Sequence, residues 1–212
     1  MGRVIRGYRR RPPALAPQGW RYSSGPPEVW HEPHGGEGYK IHTREPGNGY
    51  VHIVTASQVR SRLAQLPSAF VRDLEVVELA GMTRKKESAR CYGLQWGHTV
   101  YLYPFDESLE EWRESPPPLL ELRETSMFGG VWDRPTHDRW RLTWTPATAR
   151  DFVLNNVLIH EIGHLNDNRN TNYNKREAYA EWFAIEYGFK ATGGRSTRQS
   201  RWGIASGALK SW

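Results

Sequence analysis

Two histidines and a glutamate share one five-residue run, His160-Glu161-Ile162-Gly163-His164. Four residues of α-helix turn the chain by about 400°, so both imidazoles project from one face and can grip one zinc ion through Nε2. Glu161 is angularly adjacent and reaches a water on that ion. Zinc lowers the pKa of such a water from about 15.7 towards 7, so an adjacent carboxylate can take its proton. As ordinary core residues, two buried histidines would each need a hydrogen-bond partner, whereas one metal satisfies both. The lone cysteine, Cys91, excludes an internal disulfide and a thiolate cage, so His and carboxylate must hold the ion.

A hydrolytic zinc needs a third protein ligand and an open position. The asparagine-rich stretch Asn166 to Asn174 should end the first helix, and Lys175 to Phe189 reads as a second. On it Glu177, Ala180, Glu181, Ala184 and Gly188 form one face of two carboxylates and small residues, which lets the helices approach closely. Trp182, Phe183 and Ile185 lie to the side as core anchors. Glu177 is the expected ligand, with Glu181 as the alternative or as a residue that orients a ligand from behind. Asn174-x-x-Glu177 also reads as a capping box, a competing use of Glu177. Asp167 can hold a ligand histidine through its other ring nitrogen, and Tyr179, Tyr173 and His137 are candidate donors to an oxyanion.

The elements that must position these groups begin with a short helix capped by Thr55 or Ser57, with Val59, Leu63 and Leu66 on one face and Pro67 as its stop. Leu74 to Leu79, Ala89 to Gln95, Thr99 to Phe105 and Arg139 to Thr145 read as strands, with Trp96-Gly97-His98 as a turn. Thr145-Pro146 starts the metal-binding helix, and Thr148 with Asp151 offers a capping box one step later. Its body, Asp151 to Leu165, is apolar around most of its circumference, as in a helix buried in a core.

The run His160 to His164, followed by Glu177-Ala178-Tyr179-Ala180-Glu181-Trp182-Phe183-Ala184, resembles the zincin metallopeptidases of the gluzincin type, and among them the ImmA/IrrE group, over residues 150–186. The resemblance implies an α+β, zincin-like domain with a small mixed or antiparallel sheet. It also implies that His160, His164 and Glu177 are zinc ligands and Glu161 the general base. An edge strand of such a sheet pairs with an extended protein or peptide substrate, and Thr99 to Tyr103 is the strand expected there. The metzincin pattern does not fit, because Asp167 stands where it has Gly and Asn170 where it has its third ligand.

The 212 residues fit one domain with basic ends. Residues 1–27 and 190–212 carry 11 cations and no acid, leaving 18 cations against all 23 acids between them, a net charge of −5. The expected organisation is a flexible Pro/Gly-rich arm over 1–45, the metallopeptidase domain over 46–190 and a flexible tail over 191–212. A second reading makes the chain a regulatory or nucleic-acid-associated protein whose metal site is structural or weakly active, with the basic termini neutralising phosphates. In a third, the arm with His31, His34 and His42 masks the cleft as a pro-segment. No stretch approaches the roughly 18 to 20 apolar residues that span a bilayer, and the N-terminus lacks the apolar run of a secretory signal, so a cytoplasmic protein without a membrane partner is expected.

Overall fold

Short runs of alternating residues build the strands, and threonine or proline starts most of the helices. The structure, a computed structural model, describes residues 26–36 and 38–193. In chain order the elements are β1 (Lys40–Thr43), β2 (Tyr50–Val51), α1 (Ala56–Leu63), α2 (Ser68–Val71), β3 (Val76–Leu79), α3 (Arg84–Ser88), β4 (Gly93–Trp96), β5 (Thr99–Leu102), β6 (Phe105–Asp106), β7 (Glu110–Arg113), α4 (Leu119–Met127), β8 (Val131–Thr136), β9 (Arg139–Thr143) and α5 (Pro146–Phe152). A π-helical segment, Val153–Val157, joins α5 to α6 (Leu158–Asn166); α7 (Tyr173–Ala184) then runs into a second, Ile185–Lys190. The chain is α+β.

The main sheet has the order β1-β3-β5-β4, with β1, β3 and β5 parallel and β4 antiparallel at one edge. Its side chains divide by the two-residue pleat. Val77, Leu79, Val100 and Leu102 join Phe152, Val157, Leu158, Ile159, Ile162 and Phe183 in the larger core. Ala80, Leu94, Tyr101 and Tyr103 cluster with Cys91 on the opposite face. A two-stranded antiparallel sheet, β2 with β6, and a three-stranded antiparallel sheet, β7-β9-β8, complete the described chain.

Several expectations change. Thr99 to Tyr103 is not an edge: β5 is hydrogen-bonded on both sides and buried throughout, so among the described residues the edges of this sheet are β1 and β4. Its alternation of valine, leucine and tyrosine marks two covered faces. The domain does not begin at residue 46, because Lys40–Thr43 pairs with Val76–Leu79 inside the main sheet. Residues 84–88 are helical, capped by the Thr83 hydroxyl, and Arg90 takes a left-handed φ of 50°, so the strand expected from Ala89 starts only at Gly93. The acidic stretch after Asp106 contains strand β7, stabilised by pairing with β9 rather than by any apolar alternation of its own. Residues 1–25 and 194–212, with ten of the eleven cations of the basic ends and hence the nucleic-acid expectation, lie outside the described residues.

Candidate metal centre

Two short capping motifs place the site helices. The Thr145 hydroxyl accepts from Thr148 N–H while the Thr148 hydroxyl accepts from Thr145 N–H, so the capping box closes on Thr148 and not on Asp151. The second helix is capped by Asn172, whose Oδ1 accepts from Lys175 N–H at 3.3 Å. Asn174 is thus already helical, and Glu177 lies in the second turn, free of any capping role.

The α6 helix presents His160 and His164 with ring centroids 4.7 Å apart at an interplanar angle of 82°. Glu177 reaches between them from α7, with Oε2 3.5 Å from His160 Nε2 and Oε1 3.3 Å from His164 Nε2. Ligand atoms about 2.0–2.1 Å from one zinc in tetrahedral directions stand about 3.3–3.4 Å from one another, close to the separation of each Nε2 from its nearer Glu177 oxygen, and one donor atom from each of the three residues lies within 4.8 Å of the others. Among the described residues, these three form the one group of His, Cys, Asp or Glu gathered within 4.8 Å. Burial by itself would raise the Glu177 pKa, but hydrogen bonds from both imidazoles and their positive charge outweigh it and hold the carboxyl well below the usual carboxylate range.

Close approach of the helices depends on the small residues read from the sequence. A Cβ on Gly163 would stand 2.9 Å from Ala180 Cα, so only glycine lets α7 come this near. Phe183 anchors α7 with no exposed surface, whereas Trp182, expected beside it in the core, is 46% exposed. Glu161 is buried, and its carboxylate lies over β4: a Cβ on Gly93 would stand 2.9 Å from Glu161 Oε1 and 2.7 Å from Val157 Cγ1. Gly93 is the site residue that sequence reasoning missed. Its signal was a lone glycine inside a strand pattern, which often marks close approach of another group.

Other candidates fall elsewhere. Asp167 is buried, but its carboxylate accepts from Arg169 N–H, Asn170 N–H and Asn170 Nδ2 and so closes the loop after α6. Its expected role is to hold a ligand histidine through the other ring nitrogen, and Nδ1 of the nearer one, His164, has no hydrogen-bond partner among the described residues. Glu181, one turn beyond Glu177, is not in the metal-binding group and lines a small cavity with Arg123, Glu124 and Asn156. The Tyr179 ring packs on Trp182 and Phe183 beneath the Arg169 guanidinium. Tyr173 sits in the first turn of α7, and His137 is exposed in the turn between β8 and β9. His31 pairs with the buried Glu78, and His34 and Gly35 N–H groups donate to Glu75. With Val29 bound to Tyr101, the described part of the arm crosses the sheet face away from α6 and does not mask the candidate centre.

Comparison of the chain with protein-family models, with curated proteins and with solved structures found no match. Among the described residues, no helix is long and apolar enough to cross a membrane.

Proposed function

We propose that the protein is a zinc-dependent metallopeptidase with a zincin-like domain. The observation that carries this reading is the convergence of His160, His164 and Glu177 from two helices, with the carboxylate of Glu161, the residue after His160, held against an edge strand. Zinc held by those three side chains would supply Lewis acidity to a water and to the peptide carbonyl it attacks. Glu161, buried and outside that group of three, takes the water's proton on its carboxylate and delivers it to the leaving nitrogen. β4 holds an extended substrate main chain to main chain along its free edge, beside the Glu161 carboxylate.

The test is a pair of measurements on purified protein. Wild type should bind close to one zinc per chain and cleave peptides; Glu161→Gln should keep the zinc and lose hydrolysis by about 10²- to 10⁴-fold. Unchanged hydrolysis in that variant removes Glu161 as the base. Zinc retention without hydrolysis by wild type would instead support a structural metal site.

A further inference from the structure

The ladder of β4 fixes which of its backbone groups are available. Trp96 pairs with Thr99 across the turn Gly97-His98, and Tyr103 N–H donates to the Tyr92 carbonyl. Alternation along an antiparallel pair then points the backbone groups of Leu94 and Trp96 at β5 and those of Gly93 and Gln95 at the free edge. A peptide added antiparallel to that edge runs from the Trp96 end to the Gly93 end, and its reacting bond lies opposite Gly93, where the Glu161 carboxylate sits. Counting along the register, the peptide residue opposite Trp96 precedes the one opposite Gly93 by three. Directly opposed residues share a face, so its side chain lies with Leu94 and Trp96 on the sheet face away from α6.

Trp30 is held at that place by the segment that crosses the sheet. Its ring meets Trp96 edge-to-face at 6.4 Å between centroids and lies 3.6 Å from where a Cβ on Gly97 would stand. The flanking residues are pinned: Tyr101 donates to the Val29 carbonyl at 2.8 Å, Thr83 donates to Glu28 Oε1 at 3.1 Å, and His31 pairs with Glu78. Yet 48% of Trp30 is exposed. A large ring held in place by its neighbours and left half open offers apolar area at little ordering cost, as binding anchors do.

We infer that Trp30 and Trp96 form a specificity-determining wall selecting substrates with a large apolar side chain, aromatic or aliphatic, three positions before the residue at the cleavage point. This rests on the peptidase reading above and names a substrate class for it. The full chain loaded with zinc is incubated with a proteome-derived peptide library, and the cleaved bonds are read by mass spectrometry. Phe, Tyr, Trp, Leu or Met should be favoured over Gly at that upstream position by about tenfold. Trp30→Ala should abolish the preference, and Trp30→Arg should redirect it to Asp and Glu, a gain that loss of folding cannot imitate. In a readout independent of turnover, immobilised Glu161→Gln protein should retain the same apolar class of peptide, and the double variant Trp30→Ala, Glu161→Gln should not. Cleavage without an upstream preference, or a preference that survives Trp30→Ala, overturns the wall alone. No cleavage by wild type overturns the peptidase reading and the wall with it.

Discussion

Replacing Gly163 by alanine tests whether the spacing of α6 and α7 sets the metal site. The new methyl would stand 2.9 Å from Ala180 Cα and 3.0 Å from Phe183 Cβ, where ordinary contact begins at 3.4 Å. Phe183 is fully buried and cannot turn aside, so α7 must retreat by roughly half an ångström. Ala180 follows Glu177 by one helical turn, and the retreat carries that carboxylate with it, whereas a metal site tolerates only about 0.2 Å in its ligand distances. Two opposing effects set the stability of the metal-free chain. Alanine favours the helix by about 1 kcal/mol over glycine, while overpacking costs about 1–3 kcal/mol. The metal-free loss should therefore stay below about 2 kcal/mol. Zinc affinity should fall about 10- to 100-fold, or about 1.4–2.8 kcal/mol, as when a supporting group around a metal is disturbed. Competition with a chromophoric chelator measures the affinity, and melting in excess chelator measures the remainder. Wild-type zinc affinity in Gly163→Ala would refute the argument that this contact places Glu177.

Three further outcomes follow from the same geometry. Gly93→Ala should push the Glu161 carboxylate from β4, lowering kcat by at least tenfold while leaving zinc content at the wild-type level, since none of the three ligands contacts the new methyl within 4 Å as one of its nearest atoms. The Glu177 carboxyl is held below its ordinary value of 4.5, so its contribution to metal-free stability is present above that pH and lost as pH falls through the folded-state value; Glu177→Gln should flatten the acid limb of a melting-temperature profile. Gly188→Ala would bring a Cβ to 1.8 Å from the Asn155 carbonyl oxygen and should cost about 3 kcal/mol or more, read by chemical denaturation.

What the sequence reveals of this site is what a single helix can encode. His160, Glu161 and His164 are legible because four-residue spacing alone puts them together, and the small residues Ala180 and Ala184 announce a close helix neighbour. The start of α1 at Thr55 and that of α5 at Thr145-Pro146 are legible for the same local reason. Strand order is not local. Thr99–Leu102 and Gly93–Trp96 are both plausible edges until the parallel pairing of β3 with β5 is known, and that pairing is decided by distant residues of the sheet. β1 is similarly hidden, since Lys40-Ile41-His42-Thr43 has one strongly apolar residue and gains its structure from the ladder with β3.

The two π-helical segments were equally out of reach, and they bear on the site most directly. A widened turn is rarely stable alone, and it persists where a tertiary partner satisfies the groups it shifts. Here the partners are each other. Val153–Val157 precedes the histidine-bearing helix, Ile185–Lys190 follows the glutamate-bearing one, and the Asn155 carbonyl packs so tightly against Gly188 that no side chain fits there. Buried Arg62, from α1, joins them: Nε donates to Asn155 Oδ1 and Nη2 to the Tyr187 carbonyl, both at 2.5 Å, while Asn155 Nδ2 donates to Asp151 Oδ1. An α-helix in place of either segment would rotate its chain relative to the other and break this shared bridge. The turn-by-turn phase of α6 is thereby locked to that of α7, which is what a site built from two residues of one helix and one of the other requires.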